Sequence, residues 1–255
     1  MTGFVDKETI GLSGPQYHVG VAEGEISEIV LMPGDPFRVQ LIADRLDDAV
    51  EVAHKREYRT MNGTYKGRLI TVCSSGMGCP STAIGVEELA RVGARVFIRV
   101  GSTAALQAHI EVGDLIVSEG SLRNDGTTAA YVPPGYPAVP DFELTQMLKS
   151  VAEDFGTTHG FTPHAGLNAT DDAFYAETPE WIGNLSRLGL LNVEMESSAL
   201  FVVARQRGLR AAMICAVSAN LVTGDVVYGA PNPRLHTGWE HSIDVALEAV
   251  HRLGL

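Results

Sequence analysis

The sequence predicts an α/β fold built on a mixed, mostly parallel sheet. Short β-branched apolar runs alternate with stretches of helical spacing along the chain. No repeat, low-complexity tract or linker interrupts its 255 residues. One domain over residues 1–255 is therefore the economical reading, with 1–16 as a flexible amino-terminal extension. Hydrophobic residues make up 45% and charged residues 20%, enough to bury a core without staples.

The elements follow in order. Residues 28–32 (EIVLM) read as a buried strand, and 36–46 as a helix with proline in its first turn. Residues 68–74 form an apolar strand that ends in Ser75-Gly76-Met77-Gly78. Helical spacing covers 81–92, with Ile84, Leu89 and Val92 on the apolar side. Residues 95–100 (RVFIRV) are a strand that runs into Gly101-Ser102-Thr103, and 114–118 are another. Helices are read at 142–155 and 197–207, a strand at 211–217 and a closing amphipathic helix at 236–253. Ligands in such sheets bind at the carboxyl ends of strands. The chemistry is therefore expected just after Met32, Ser74, Val100 and Val217.

Composition narrows the function. The formal net charge of −12 disfavours nucleic acid as a partner, because phosphate backbones attract basic surfaces. A small anionic substrate then needs a locally built site of placed arginines and backbone N–H groups. Cys73, Cys79 and Cys215 lack paired spacing, which argues against a disulfide framework or zinc site and favours a reducing, cytoplasmic setting. No apolar run approaches the roughly 18 residues of a membrane span, and the first thirteen residues carry no apolar signal core.

Four places could carry chemistry. Pro33-Gly34-Asp35-Pro36-Phe37-Arg38 joins a strand to a helix; the glycine admits a close ligand and the helix start suits an anion, though an ordinary turn has the same composition. Arg99, at the end of an apolar strand, is costly to bury without an anionic partner; that partner is a ligand or an internal carboxylate such as Glu87. In Val193-Glu194-Met195-Glu196, one carboxylate turned inward would suit a ribose diol, and both turned outward would mark a solvated helix start. His18 beside Tyr17, and Arg56-Glu57, are equally consistent with plain surface residues. The phosphate loop of NTPases, the Gly-x-Ser-x-Gly elbow, His-Glu-x-x-His and Cys-x-x-Cys are all missing from the sequence.

With these residues in view, the chain resembles the nucleoside phosphorylases of the hexameric type, their uridine phosphorylase branch most closely. The resemblance rests on 32–39 (MPGDPFRV), 56–58 (REY), 74–107 (SSGMGCPSTAIGVEELARVGARVFIRVGSTAALQ), 137–143 (PAVPDFE), Phe174-Tyr175 and 193–197 (VEMES), and it spans 17–253. It implies a three-layer α/β/α domain that cleaves a nucleoside with inorganic phosphate as co-substrate and requires no cofactor. It implies Arg99 and Glu196 as catalytic residues. It implies phosphate held by Gly34, Arg38, Arg99 and Ser102, with Arg56 reaching in from a neighbouring subunit. Ribose would meet Thr103, Met195 and Glu196, and His18 from across the dimer. Phe174 would line the base pocket, a structural potassium ion would sit at Glu57, Met77 and Ser81, and the assembly would be a trimer of dimers.

The departures gather at the base. The uridine branch carries a glutamine and an arginine shortly after its Phe-Tyr pair, where this chain has Thr178 and Glu180. Asn220-Leu221 stands where that branch has asparagine then arginine, and Ala219 follows Ser218 where the purine branch has an aspartate. Thr178, Glu180, Ala219 and Asn220 are therefore taken as the base-pocket positions, and Glu177 or Glu180 as acceptors for ring N–H groups. The expected activity is phosphorolysis with uridine favoured. The alternatives are a guanosine or inosine phosphorylase and a nucleosidase that uses water.

Overall fold

The computed structural model describes residues 14–227 and 232–255; most of the predicted amino-terminal extension lies outside them. The elements are β1 (Ile29–Met32), α1 (Pro36–Ala43), β2 (Asp47–Lys55), β3 (Tyr58–Tyr65), β4 (Arg68–Cys73), α2 (Cys79–Arg91), β5 (Val96–Ala105), β6 (Leu115–Asn124), α3 (Phe142–His159), β7 (Pro163–Asp171), α4 (Pro179–Arg187), β8 (Asn192–Glu194), α5 (Ser197–Gln206), β9 (Arg210–Asn220), β10 (Asp225–Val226) and α6 (Pro233–Arg252). All ten strands join one sheet in the order β10-β9-β6-β7-β8-β5-β1-β4-β3-β2. β9 also pairs with β5, so β5, β8, β7, β6 and β9 close into a ring.

Parallel pairings hold the centre, β4-β1-β5-β9 and β6-β7-β8. The β2-β3-β4 meander is antiparallel, as are the β6–β9 and β5–β8 pairings, so the sheet is mixed about a parallel centre, as the sequence suggested. One apolar layer packs α1, α3 and α6 on the sheet through Ile42, Leu148 and Val250. The opposite layer packs α2 and α5 through Val86, Leu89 and Leu200. The result is the three-layer arrangement.

Local chemistry explains the boundaries. β1 is four buried aliphatic residues, the composition of a strand covered on both faces. Asp35 caps α1 by accepting from Phe37 N at 2.9 Å, and Pro36 occupies the first turn. β5 does not stop at Val100. Gly101, Ser102 and Thr103 stay in register with Cys215, Ala216 and Val217 of β9. A Cβ at Gly101 would lie 2.7 Å from Cys215 Sγ and 2.9 Å from the Arg99 guanidinium carbon. The glycine that reads as a turn in the sequence thus makes room inside a strand.

The last helix docks backbone to backbone. A Cβ at Gly113, where φ is +96°, would lie 2.9 Å from the Arg234 carbonyl oxygen, and one at Gly238 would lie 3.0 Å from the Gly113 carbonyl oxygen. These two glycines seat α6 against the turn before β6. Gly113→Ala combines an unfavourable φ with that clash and is expected to cost about 2–3 kcal/mol. Thermal unfolding should show this as a Tm lower by roughly 5–10 °C; an unchanged Tm would mean that α6 shifts freely.

Candidate active site

The carboxyl ends of β1, β4, β5, β8 and β9 open on a cavity of about 610 Å³, a volume suited to a small organic ligand. Its wall includes Gly34, Asp35, Arg38, Glu57, Gly76, Met77, Arg99, Ser102, Thr103, Phe174, Glu177, Glu194, Met195, Glu196 and Ser218. Segments far apart in the chain meet here because each follows a neighbouring strand.

Arg99 organises one end. It is 4% exposed, and its partner is not Glu87, which pairs with Arg207 on the surface. Arg99 Nε donates to Glu194 Oε2 at 3.0 Å, and Nη2 pairs with Glu196 Oε2. Both glutamates are buried, so neither belongs to a solvated helix start. Glu194 also accepts from Ser197 Oγ, Thr170 Oγ1 and the backbone N–H groups of Glu196 and Ser197. Glu196 accepts from Gly78 N at 2.6 Å. Burial raises the Glu196 carboxyl above its ordinary value, while Arg99 pulls the other way.

Among the described residues, no partner hydrogen-bonds the buried Nη1 of Arg99. Arg38 lies beside it and makes a long 3.5 Å hydrogen bond from Nη1 to the Val100 carbonyl. A Cβ on Gly34 would come within 3.4 Å of Arg38 Nη2 and 3.8 Å of Arg99 Nη1. Two guanidiniums and an open glycine therefore face one space. Burial, and then the charge of Arg99, lower the Arg38 pKa to about 10. It stays charged at neutral pH, and an anion between the two arginines would relieve their repulsion. Ser102, on the same wall, accepts a hydrogen bond from Trp239 Nε1.

Met195 and Thr103 lie further along the wall. The Thr103 hydroxyl is already engaged, donating to the Val193 carbonyl and accepting from Asn192 Nδ2, both at 2.7 Å. At the far end stand Phe174, 41% exposed, and Glu177. Burial, with a smaller push from Asp171, raises the Glu177 carboxyl to about 7.

Other expected positions fall elsewhere. The Thr178 hydroxyl caps α4 by accepting from Trp181 N, and exposed Glu180 occupies the first turn of that helix. Neither lines the cavity. Side chains alternate along a strand; Ser218 faces the cavity and Ala219 turns into the core beside Leu106 and Val193. Asn220 donates to the Gln107 and Ile110 carbonyls and accepts from Val222 N and Thr223 N, which commits it to holding two loops. His18 is bound to Glu88, Nδ1 to Oε1 at 2.6 Å, and Arg56 projects from the β2–β3 turn near the Tyr17 ring; neither reaches this chain's own cavity. Glu57 accepts from Ser81 Oγ at 2.8 Å, with Met77 at the rim.

Sequence reading named Glu177 and Glu180 as alternative acceptors, and of the two it is Glu177 that lines the cavity; it missed Glu194 as the anchor of Arg99. A capping signal was legible for Glu177, since Thr178-Pro179 starts a helix and leaves Glu177 before it. Trp239 gave no signal.

The profile of the phosphorylase superfamily matches residues 28–254. The chain is 46% identical to the guanosine phosphorylase of Halorubrum lacusprofundi, over 82% of this chain and 86% of that protein. It is 44% identical to the uridine phosphorylase of Thermococcus kodakarensis, over 83% and 80%, and 36% identical to that of Escherichia coli K12, over 93% and 97%. The crystal structure of uridine phosphorylase from Vibrio fischeri ES114 superposes with a TM-score of 0.85 at 37% identity, covering 94% of this chain and 98% of that one. A cavity whose wall is drawn from within the matched region, and similarity along nearly the whole length, lead to one conclusion: this chain belongs to the phosphorylase superfamily.

Proposed function

We propose that this chain is a nucleoside phosphorylase, a pentosyltransferase that moves ribose from a base to inorganic phosphate, with uridine as the favoured nucleoside. The unpartnered Nη1 of Arg99 beside Arg38 carries the reading. As the C1′–N bond breaks, its electron pair leaves with the base and positive charge develops on the sugar. Phosphate held by Arg38, Arg99, Ser102 and the backbone at Gly34 stabilises that charge, and one of its oxygens forms the new bond to C1′. Glu196 accepts from the ribose hydroxyls and Met195 packs on the sugar, which fixes the line of attack. Water would need no such cationic cradle, which counts against the nucleosidase alternative.

The proposal includes a second copy of the chain. Within one chain, two guanidinium charges face the two carboxylates Glu194 and Glu196, and Asp35 and Glu57 add acids to the same wall. A phosphate dianion needs a further cation, and Arg56 from a neighbour supplies it, with His18 reaching the sugar. The resemblance to the hexameric nucleoside phosphorylases extends this closed dimer, through a second and different interface, to a trimer of dimers. Ser81 Oγ donates to Glu57, which lines the cavity with Met77, and a potassium ion held by these oxygens is part of the proposal. Among the described residues, no helix is long and apolar enough to cross a membrane and the three cysteines are buried free thiols; a cytoplasmic setting is part of the proposal.

A second reading keeps the reaction and changes the base. Glu177 lines the far end beside Phe174, and an ionised carboxylate there accepts from the ring N–H and amino group of guanine, or from the single ring N–H of uracil.

Base release should be measured with uridine, thymidine, cytidine, guanosine, inosine and adenosine, with and without phosphate. Turnover of uridine only with phosphate is expected; guanosine turnover would select the second reading, and turnover without phosphate would overturn phosphorolysis. Arg38→Ala should cut phosphorolysis about 100- to 1,000-fold while the Tm stays near wild type, since it removes a like charge from beside Arg99. Arg99→Ala should lose activity and about 3–5 kcal/mol of stability together, because it strands two buried carboxylates. Ionised Glu177 accepts through both oxygens and more strongly than the protonated acid, so nucleoside KM should fall as pH rises through about 7. Glu177→Gln should flatten that profile; an unchanged profile would remove Glu177 from base recognition.

A further inference from the structure

Arg38 and Ser102 come from α1 and β5, yet a single residue on α6 touches both. Trp239 Nε1 donates to Ser102 Oγ at 2.7 Å, and the Arg38 guanidinium carbon lies 5.4 Å from the centroid of the same indole. Trp239 is not part of the cavity wall. It stands behind the wall and packs on the apolar cluster under α6.

The chemistry of the contacts gives them direction. An indole N–H can only donate. The Ser102 oxygen must therefore accept it, which leaves the serine's own hydrogen for a different partner, and Ser102 lines the cavity. A hydroxyl without that donor would be free to rotate and to present a lone pair, which repels an anion. Arg38 faces the opposite problem, because the neighbouring Arg99 repels it. The face of an indole attracts a cation and holds the guanidinium plane against it.

We propose that Trp239 is a positioning residue of the anion subsite, turning the Ser102 hydroxyl and the Arg38 guanidinium so that both donate to one point in front of Gly34. The proposal rests on the phosphorolysis reading of the cavity. It makes the carboxyl-terminal helix part of the phosphate machinery, and the seating of Gly238 on Gly113 sets the reach of the adjacent indole.

Two substitutions separate the contacts. Trp239→Phe keeps a ring under Arg38 and removes the donor, and Trp239→Leu removes both. With nucleoside saturating, Trp239→Phe is expected to raise the phosphate KM about five- to tenfold and Trp239→Leu further, with nucleoside KM changed less than about twofold. In a Ser102→Ala background, Trp239→Phe should add less than about twofold, because the serine through which the N–H acts is gone. An unchanged phosphate KM, an equal rise in nucleoside KM, or an undiminished effect in the Ser102→Ala background would each overturn the proposal. A readout without turnover is available because the chain has only two tryptophans. In Trp181→Phe protein, titration with inorganic phosphate should change the emission of Trp239 and saturate, and a flat titration would overturn the proposal even if Trp239→Leu failed to fold. Wild-type turnover without phosphate would remove the phosphorolysis reading, and the emission titration alone would then decide for the anion subsite.

Discussion

Everything at the site depends on the way Arg99 is held. A guanidinium buried beneath a sheet is tolerable only with its charge matched and its N–H groups engaged. Glu194 and Glu196 take two of its three nitrogens and leave the third directed at the space beside Gly34. Glu194 is itself saturated by Thr170, Ser197 and backbone N–H groups, so it behaves as a fixed post rather than a mobile acid. The arrangement ties the middle of β5 to the turn between β8 and α5, and it explains why one short segment, 193–197, bears on both the arginine end and the middle of the cavity.

The two ends of the cavity are built differently. The anion end rests on strand residues and on a helix start, with Gly101 making space for the Arg99 side chain within the sheet. The other end rests on Phe174 and Glu177, in the short connection between β7 and α4. Under the proposed function, chemistry that needs fixed geometry falls on the rigid part, and discrimination among bases on the adaptable part. That division fits a family in which this chain is similar both to a guanosine phosphorylase and to uridine phosphorylases.

Sequence showed β1, β4, β5, β6, β9 and all helices but α4, because buried strands read as short continuous apolar runs and amphipathic helices carry a clear period. It hid β2, whose residues are mostly exposed, β3 and the two-residue β10, and it hid β7 and β8, whose polar residues face an internal network at Asn168, Thr170 and Asn192. It cut β5 short because Gly-Ser-Thr looks like a turn when the paired strand is unseen. The anion-end residues were legible from the motif after each strand. At the base end, counting positions from Phe174 selected Thr178 and Glu180, but a helix begins between them and Glu177. Trp239 was illegible because its role is defined by what it meets across 137 residues of chain.

The ring formed by β5, β9, β6, β7 and β8 has a thermodynamic consequence. A closed ring has no edge from which strands can peel one at a time. The backbone on either side of Arg99 is locked between β1 and β9, and the tip of β5 between β9 and β8. Displacing the backbone at Arg99 therefore requires opening the ring. Under the proposed function, a phosphate ion held by Arg99 and by Arg38 of α1 acts as a rivet between the ring and the helix layer outside it.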